Sequence, residues 1–153
     1  MKILLDADSC PRAARDLILR RAAKLDLNVI FAANRLIPSE IEGIKKTVQM
    51  EICSSLENSA DDRIVELAEP GDLAITRDIP LAKRLVVKNV SVMDDRGRIF
   101  TENNINEILS LRNFTVGLAE NGFDFDRIAN YGKKEFKSFA DSFDKILTRK
   151  LKQ

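Results

Sequence analysis

The chain carries acidic residues at the places where an α/β protein would assemble a cation site. Lys2–Leu5 is an apolar run that ends in Asp6-Ala7-Asp8, followed by Ser9-Cys10-Pro11. Asp61 and Asp62 follow Ser59 in a capping-type helix start, Asp78 follows the apolar stretch DLAIT, and Asp94-Asp95 follow NVSVM. Carboxylates held together repel and are pushed toward protonation unless a cation sits among them. Mg²⁺ or Mn²⁺ suits an all-oxygen set of a few carboxylates and waters. Such an ion generates a hydroxide-like nucleophile and stabilises the leaving oxygen of a phosphodiester. Histidine is absent, which removes Ser-His-Asp triads, Cys-His pairs and His-ligated zinc. Metal-activated water is then the most economical nucleophile.

Capping competes as an explanation for each acid taken singly, because Asp is favoured at helix caps and in first turns. Asp6 fits that explanation least, since it precedes the natural cap position before Pro11. Ser9 and Thr76 offer hydroxyl contacts beside these acids. Lys83 and Arg84, at the start of the helix after Asp78, are candidate phosphate contacts, with a solvated helix face as the competing reading. Cys10 sits at a helix start, which lowers a thiol pKa, but it has no base partner.

The elements needed to position these residues are legible in the pattern. Strands are expected at Lys2–Leu5, Asn28–Ala33, Thr47–Cys53, Asp72–Thr76 and Asn89–Met93. Helices are expected from Pro11 to about Leu25, from a Ser59 cap to Pro70-Gly71, after Asp78, and from about Glu102 to Leu118 behind a Thr101 cap. The tail after Gly132 is amphipathic, with Phe136, Phe139, Phe143, Ile146, Leu147 and Leu151 at helical spacing. Alternating strands and helices imply an α/β fold with a mainly parallel central sheet flanked by helices. In such sheets ligands bind beyond the carboxyl ends of the strands, and acids from four segments are expected to converge on that rim.

With 153 residues, one domain spanning 1–153 is expected, with the C-terminal helices of about 102–153 packed on the α/β core. The 25 basic and 24 acidic residues balance, so no global field marks a polyanion binder. A local surplus of eight basic over three acidic residues lies in Arg127–Gln153. Two cysteines outside any CxxC pattern read as reduced thiols of a cytoplasmic protein. Asp6 interrupts the N-terminal apolar run too early for a signal peptide, and no run approaches the roughly 20 apolar residues of a membrane span.

The motifs also carry a family resemblance. DADSCP at 6–11, Ala33-Asn34, SADD at 59–62, GDLAITRDIPLA at 71–82, Arg96-Gly97, Arg112-Asn113-Phe114 and FADSFDKIL at 139–147 together resemble the bacterial YaiI/YqxD family. That resemblance covers nearly the whole chain and implies a fold of the PIN-like type. PIN-like proteins are commonly metal-dependent ribonucleases with acids at three or four fixed places. By resemblance Asp6 is the first-strand acid, Asp61 the helix acid and Asp78 the acid after the fourth strand. Asp8 lies inside the motif, and Asp94 is a less secure fourth ligand. Asn34 joins Ser9, Thr76, Lys83 and Arg84 as an expected substrate contact. The leading expectation is thus a Mg²⁺- or Mn²⁺-dependent nuclease acting on RNA. Asp6, Asp61, Asp78 and Asp94 would hold metal, and Asp8 would assist. Two alternatives stand beside it: a haloacid-dehalogenase-type phosphatase with Asp6 as nucleophile, and a non-catalytic nucleic-acid- or protein-binding module with a degenerate site.

Overall fold

The computed structural model describes residues 1–33, 48–53, 59–122 and 130–153. Its centre is a six-stranded sheet built from β1 (Lys2–Asp6), β2 (Asn28–Ala33), β3 (Val48–Ile52), β4 (Leu73–Ile75), β5 (Ser91–Met93) and β6 (Ile99–Phe100). The spatial order is β3-β2-β1-β4-β5-β6. Every pairing is parallel except β5 with β6. The chain runs outward from β1 through β2 to β3, then crosses back to lay β4 on the other side of β1. The order therefore reverses between β1 and β4, the place where open α/β sheets bind ligands.

The central strands β1, β2 and β4 are buried on both faces and are short apolar runs, whereas the edge strand β3 (VQMEI) alternates and has no buried residue. On one face Ile3, Leu5, Phe31 and Ile75 pack against Leu17 and Ile18 of α1 (Arg12–Leu25) and Phe139, Phe143, Ile146 and Leu147 of α5 (Lys133–Leu151). On the other, Leu4, Ile30, Ala74 and Val92 pack against Ile64 of α2 (Ser59–Leu67), Leu81 and Leu85 of α3 (Ile79–Val87), and Ile105 of α4 (Glu102–Glu120). The result is the three-layer α/β arrangement expected from the alternation of elements.

The helix ends follow local chemistry. Pro11 precedes α1, with its missing N–H and fixed φ suited to a helix start. Asp78 caps α3 by accepting the Leu81 N–H at 2.9 Å, with Pro80 in the first turn. Thr101 and Asn104 form a reciprocal capping box on α4. Ser59, expected as a cap, is instead the first residue of α2.

The antiparallel β6 was not expected from the sequence, because two residues carry no period to read. It is held by a turn whose Gly97 has φ +90°, and a Cβ built there would lie 2.5 Å from the Ser138 carbonyl oxygen. Only glycine lets this turn sit against α5.

Candidate functional site

β1 ends at Asp6 and β4 leads directly into Thr76, so the two residues flank the switch point. The Thr76 hydroxyl donates to Asp6 Oδ2 at 3.0 Å, and Ser9 Oγ donates to the same oxygen at 3.1 Å. Thr76 Oγ1 also accepts the Asp78 N–H at 3.0 Å. Thr76 is buried, and its hydroxyl ties the end of β1 to the start of α3. Ser9 and Thr76, expected as substrate contacts, therefore hold Asp6 in place. A carboxylate with two hydroxyl donors on one oxygen keeps a fixed orientation, and the other oxygen is left for a ligand.

Asp61 arrives from the opposite direction. The helix α2 runs back from the carboxyl rim, so its first turn, carrying Asp61 and Asp62, lies on that rim. The Asp61 pKa is pushed up to about 6, first by burial, then by the charges of Asp78 and Asp6 and by its closeness to the Asp78 carboxyl; Arg84 pulls it down. Burial likewise pushes the Asp6 carboxyl above its ordinary value, against the Thr76 and Ser9 bonds, with Asp78 and Asp8 adding to the rise. Two carboxylates within hydrogen-bonding reach cannot both stay ionised without compensation: they share a proton or they share a cation.

The other expected residues fall into three groups. Asp8 is exposed in the turn after β1, and its charge acts on both Asp6 and Cys53. Lys83 and Arg84 are on the exposed side of α3, with Arg84 bonded to Asp62 at 2.8 Å. Asn34 lies outside the described residues.

Asp94 departs from the expectation. Its Oδ1 accepts the N–H groups of Arg96 and Arg98, both at 2.9 Å, and its Oδ2 faces Arg98 Nε at 3.3 Å. Both oxygens are used in closing the β5–β6 turn, so Asp94 is a turn residue and does not join the other three acids. Nor is the set a preformed cage: among the described residues, no three His, Cys, Asp or Glu side chains stand together as a metal-holding group. The donor set fits a cation that takes one or two carboxylates and keeps most of its waters, which is the habit of Mg²⁺. Asp61 and Asp78 would be those carboxylates, with Asp6 close enough for its charge to act on Asp61.

Beside this group lies a pair that the sequence did not single out. Arg77 Nε donates to Asp95 Oδ1 at 2.7 Å, and Arg77 Nη2 bonds Asp95 Oδ2. Asp95 is buried and Arg77 half-buried. The one available signal was position, because Arg77 stands between Thr76 and Asp78. Cys10 is buried among these groups; burial foremost, then Asp95, pushes its pKa up to about 12. That thiol stays protonated at neutral pH and is no nucleophile.

A parallel α/β protein with its acids at the topological switch point is the class that this fold and site define. Comparison with known proteins gives the family. Residues 4–149 match the family model described as "Uncharacterized BCR, YaiI/YqxD family", and the chain belongs to that family. The chain is 47% identical over its full length to a UPF0178 protein of Treponema denticola, covering 96% of that relative. It is 41% identical to one from Syntrophobacter fumaroxidans, over 99% of this chain and 97% of the relative. It is 40% identical to one from Myxococcus xanthus, over the same shares. No solved structure matches the chain. No helix among the described residues is long and apolar enough to cross a membrane.

Proposed function

We propose that the protein is a Mg²⁺- or Mn²⁺-dependent nuclease that hydrolyses phosphodiester bonds in RNA at the Asp6–Asp61–Asp78 rim. The observation that carries this reading is the Asp61–Asp78 pair. Asp61, part-buried beside the charges of Asp78 and Asp6 at a switch point and with a pKa of about 6, forms with them a group that a divalent cation would relieve. A cation held there supplies an acidified water and charge to offset the phosphate.

The chain's own residues do the rest. Asp78 is fixed at its Oδ1 by the Leu81 N–H, and its Oδ2 would be the oxygen offered to a cation. Asp6 is held in one orientation beside the rim by Thr76 and Ser9. Asp8, exposed in the turn after β1 with its charge acting on Asp6, would assist. The phosphatase alternative gains nothing here. Such a phosphatase needs a late acidic pair after a strand, whereas only Asp78 follows β4 and Asp72 lies before it, bonding backbone N–H groups at the opposite end of the sheet.

The test is an assay of the purified protein with Mn²⁺ on single-stranded and structured RNAs, run beside Asp6→Asn and Asp78→Asn. Metal-dependent cleavage lost in both variants, with circular dichroism unchanged, is the expected result. A parent protein that cleaves none of these RNAs, or cleavage that survives both substitutions, overturns the reading.

A further inference from the structure

The two helical layers carry opposite charge, which the nearly neutral total hides. α1 and α5, side by side on one face of the sheet, hold eleven Lys and Arg against four Asp and Glu, a net charge of +7. α2, α3 and α4, on the other face, hold four against six, a net charge of −2. A field of one sign spread over a whole face attracts a polyanion where a balanced surface does not.

The basic layer is not neutralised from within. Its four acids are already engaged: Asp16 with Arg12 at 3.9 Å, Asp141 with Lys137 at 3.0 Å, Asp144 with Arg21 at 2.8 Å, and Glu135 with the Gly132 N–H at 3.0 Å. Arg20 and Lys24 of α1 and Lys133, Lys134, Lys145 and Arg149 of α5 are exposed, and none of them forms an ion pair among the described residues. Arg20 and Lys24 stand one turn apart, as do Lys145 and Arg149. The Arg21–Asp144 bond ties α1 to α5, and each of its ends adjoins one of these pairs in sequence, so the two pairs flank the seam between the helices.

Both helices start at the carboxyl rim. α1 follows the Asp6–Asp8 turn, and α5 lays Ser138 against Gly97 in the turn after β5 and ends with Lys150 on the Gly71 carbonyl, before β4. The basic face therefore runs from the acid rim to the amino end of the sheet. From Lys133 to Arg149 it extends about 24 Å at about 1.5 Å per residue, the length of about seven stacked nucleotides at about 3.4 Å each. Phe136, Phe139 and Phe143 of α5 pack into the core and α1 has no aromatic residue, so the face offers cations to phosphates and nothing for a base to stack on. That favours a duplex, whose bases already stack on one another, over a single strand. Among the described residues its large exposed apolar side chains are Leu25 and Leu151, both at the end far from the rim, which leaves little to enter a bilayer.

We propose that the α1–α5 face docks the backbone of double-helical RNA, with one end of the duplex at the acid rim. This rests on the nuclease reading for the choice of RNA as the polyanion. It makes the substrate a structured RNA, and it makes binding on this face independent of base sequence.

The test is fluorescence anisotropy in EDTA, where metal-dependent cleavage cannot run, with a labelled RNA duplex of 12 base pairs and with one of its strands alone. The parent should bind the duplex more tightly than the strand. Arg20→Gln with Lys24→Gln, and Lys145→Gln with Arg149→Gln, should each weaken duplex binding about tenfold. Each should also lower the log Kd against log salt slope by about 1.8, the value for two phosphate contacts on a double helix. Arg112→Gln, which removes a cation from α4, should leave Kd within twofold. The substituted side chains are exposed, and thermal melts confirm folding.

Duplex binding within twofold of the parent in both double variants, with an unchanged salt slope, overturns the proposal. So does tighter binding of the single strand, or a parent protein that binds anionic phospholipid vesicles and no RNA. If the parent binds the duplex through these residues but cleaves no RNA, the nuclease reading falls and the docking face stands. If Asp6→Asn abolishes cleavage while both double variants bind normally, the nuclease reading stands and the docking face falls.

Discussion

The two ends of the central sheet handle their acids in opposite ways. At the amino end, Asp72 accepts the backbone N–H groups of Lys2 and Glu69, both at 2.9 Å, and pairs with the Lys2 ammonium at 2.7 Å. The same ammonium reaches Glu69, and Lys150 of α5 closes over the Gly71 carbonyl at 2.7 Å. Burial works against the Lys2 charge, but its bonds to Asp72 and Glu69 outweigh that and hold its pKa above the ordinary value. Every charge there has a partner. At the carboxyl end, the charges of Asp78 and Asp6 act on Asp61, and Arg84, the cation that pulls its pKa down, has its own bond to Asp62. One end is built to be stable without a ligand, and the other keeps a repulsion that a ligand would remove.

That contrast can be broken by exchanging what each end loses. Asp6→Asn should abolish metal-dependent RNA cleavage while the melting temperature stays at or above that of the parent. Asp72→Asn should do the reverse: cleavage per folded molecule is kept, while stability falls by about 3 kcal/mol, since a buried ion pair loses one partner. Urea denaturation measures the second effect. Equal loss of cleavage in both variants would erase the distinction between the two ends.

A smaller effect concerns pH. An acid whose pKa is higher folded than unfolded binds more protons in the native state, so stability declines as pH rises between the two values. For Asp61 that window runs from about 3.8, its ordinary value, to about 6. Without divalent cations the parent should lose stability as pH rises through this window. Asp61→Asn should flatten the loss and raise the melting temperature at pH 7. Addition of Mn²⁺ should then stabilise the parent more than the variant, and the difference should shrink below pH 6, where protons compete for Asp61. A melting temperature in Asp61→Asn equal to the parent's from pH 4 to 7 would remove the strain argument.

The smallest effect is expected at Arg84→Gln. An exposed ion pair with Asp62 is worth little, and stability should change by no more than about 0.5 kcal/mol. The sharper readout is Asp61, whose pKa should rise once that cation is gone, as followed by carboxyl NMR.

Much of the molecule was legible in advance because its signals are local. An apolar run ending in Asp6, a proline before α1, an Asp before Ile79-Pro80, and a Thr before α4 each mark an element boundary through backbone chemistry that needs no distant partner. The three acids carried by the resemblance are the ones whose charges act on one another. Asp94 is, from the sequence, one more acid after a strand, but the turn into β6 offers its carboxylate the N–H groups of Arg96 and Arg98. Ser9 and Thr76 were read as facing a substrate, and the direction of their hydroxyls depended on where Asp6 would lie.

The sequence alone determined the alternation of strands and helices, the two-faced core and the presence of acids at strand ends. All of these follow from side-chain periodicity and from the behaviour of the nearest few peptide groups. Only the tertiary structure decided which acids are compensated. Partners 70 and 18 residues apart meet only through the strand pairing: Thr76 with Asp6 once β4 crosses back beside β1, and Arg77 with Asp95 once β5 lies beside β4. Charge compensation depends on distance in space, and the strand order, which no local pattern encodes, sets that distance.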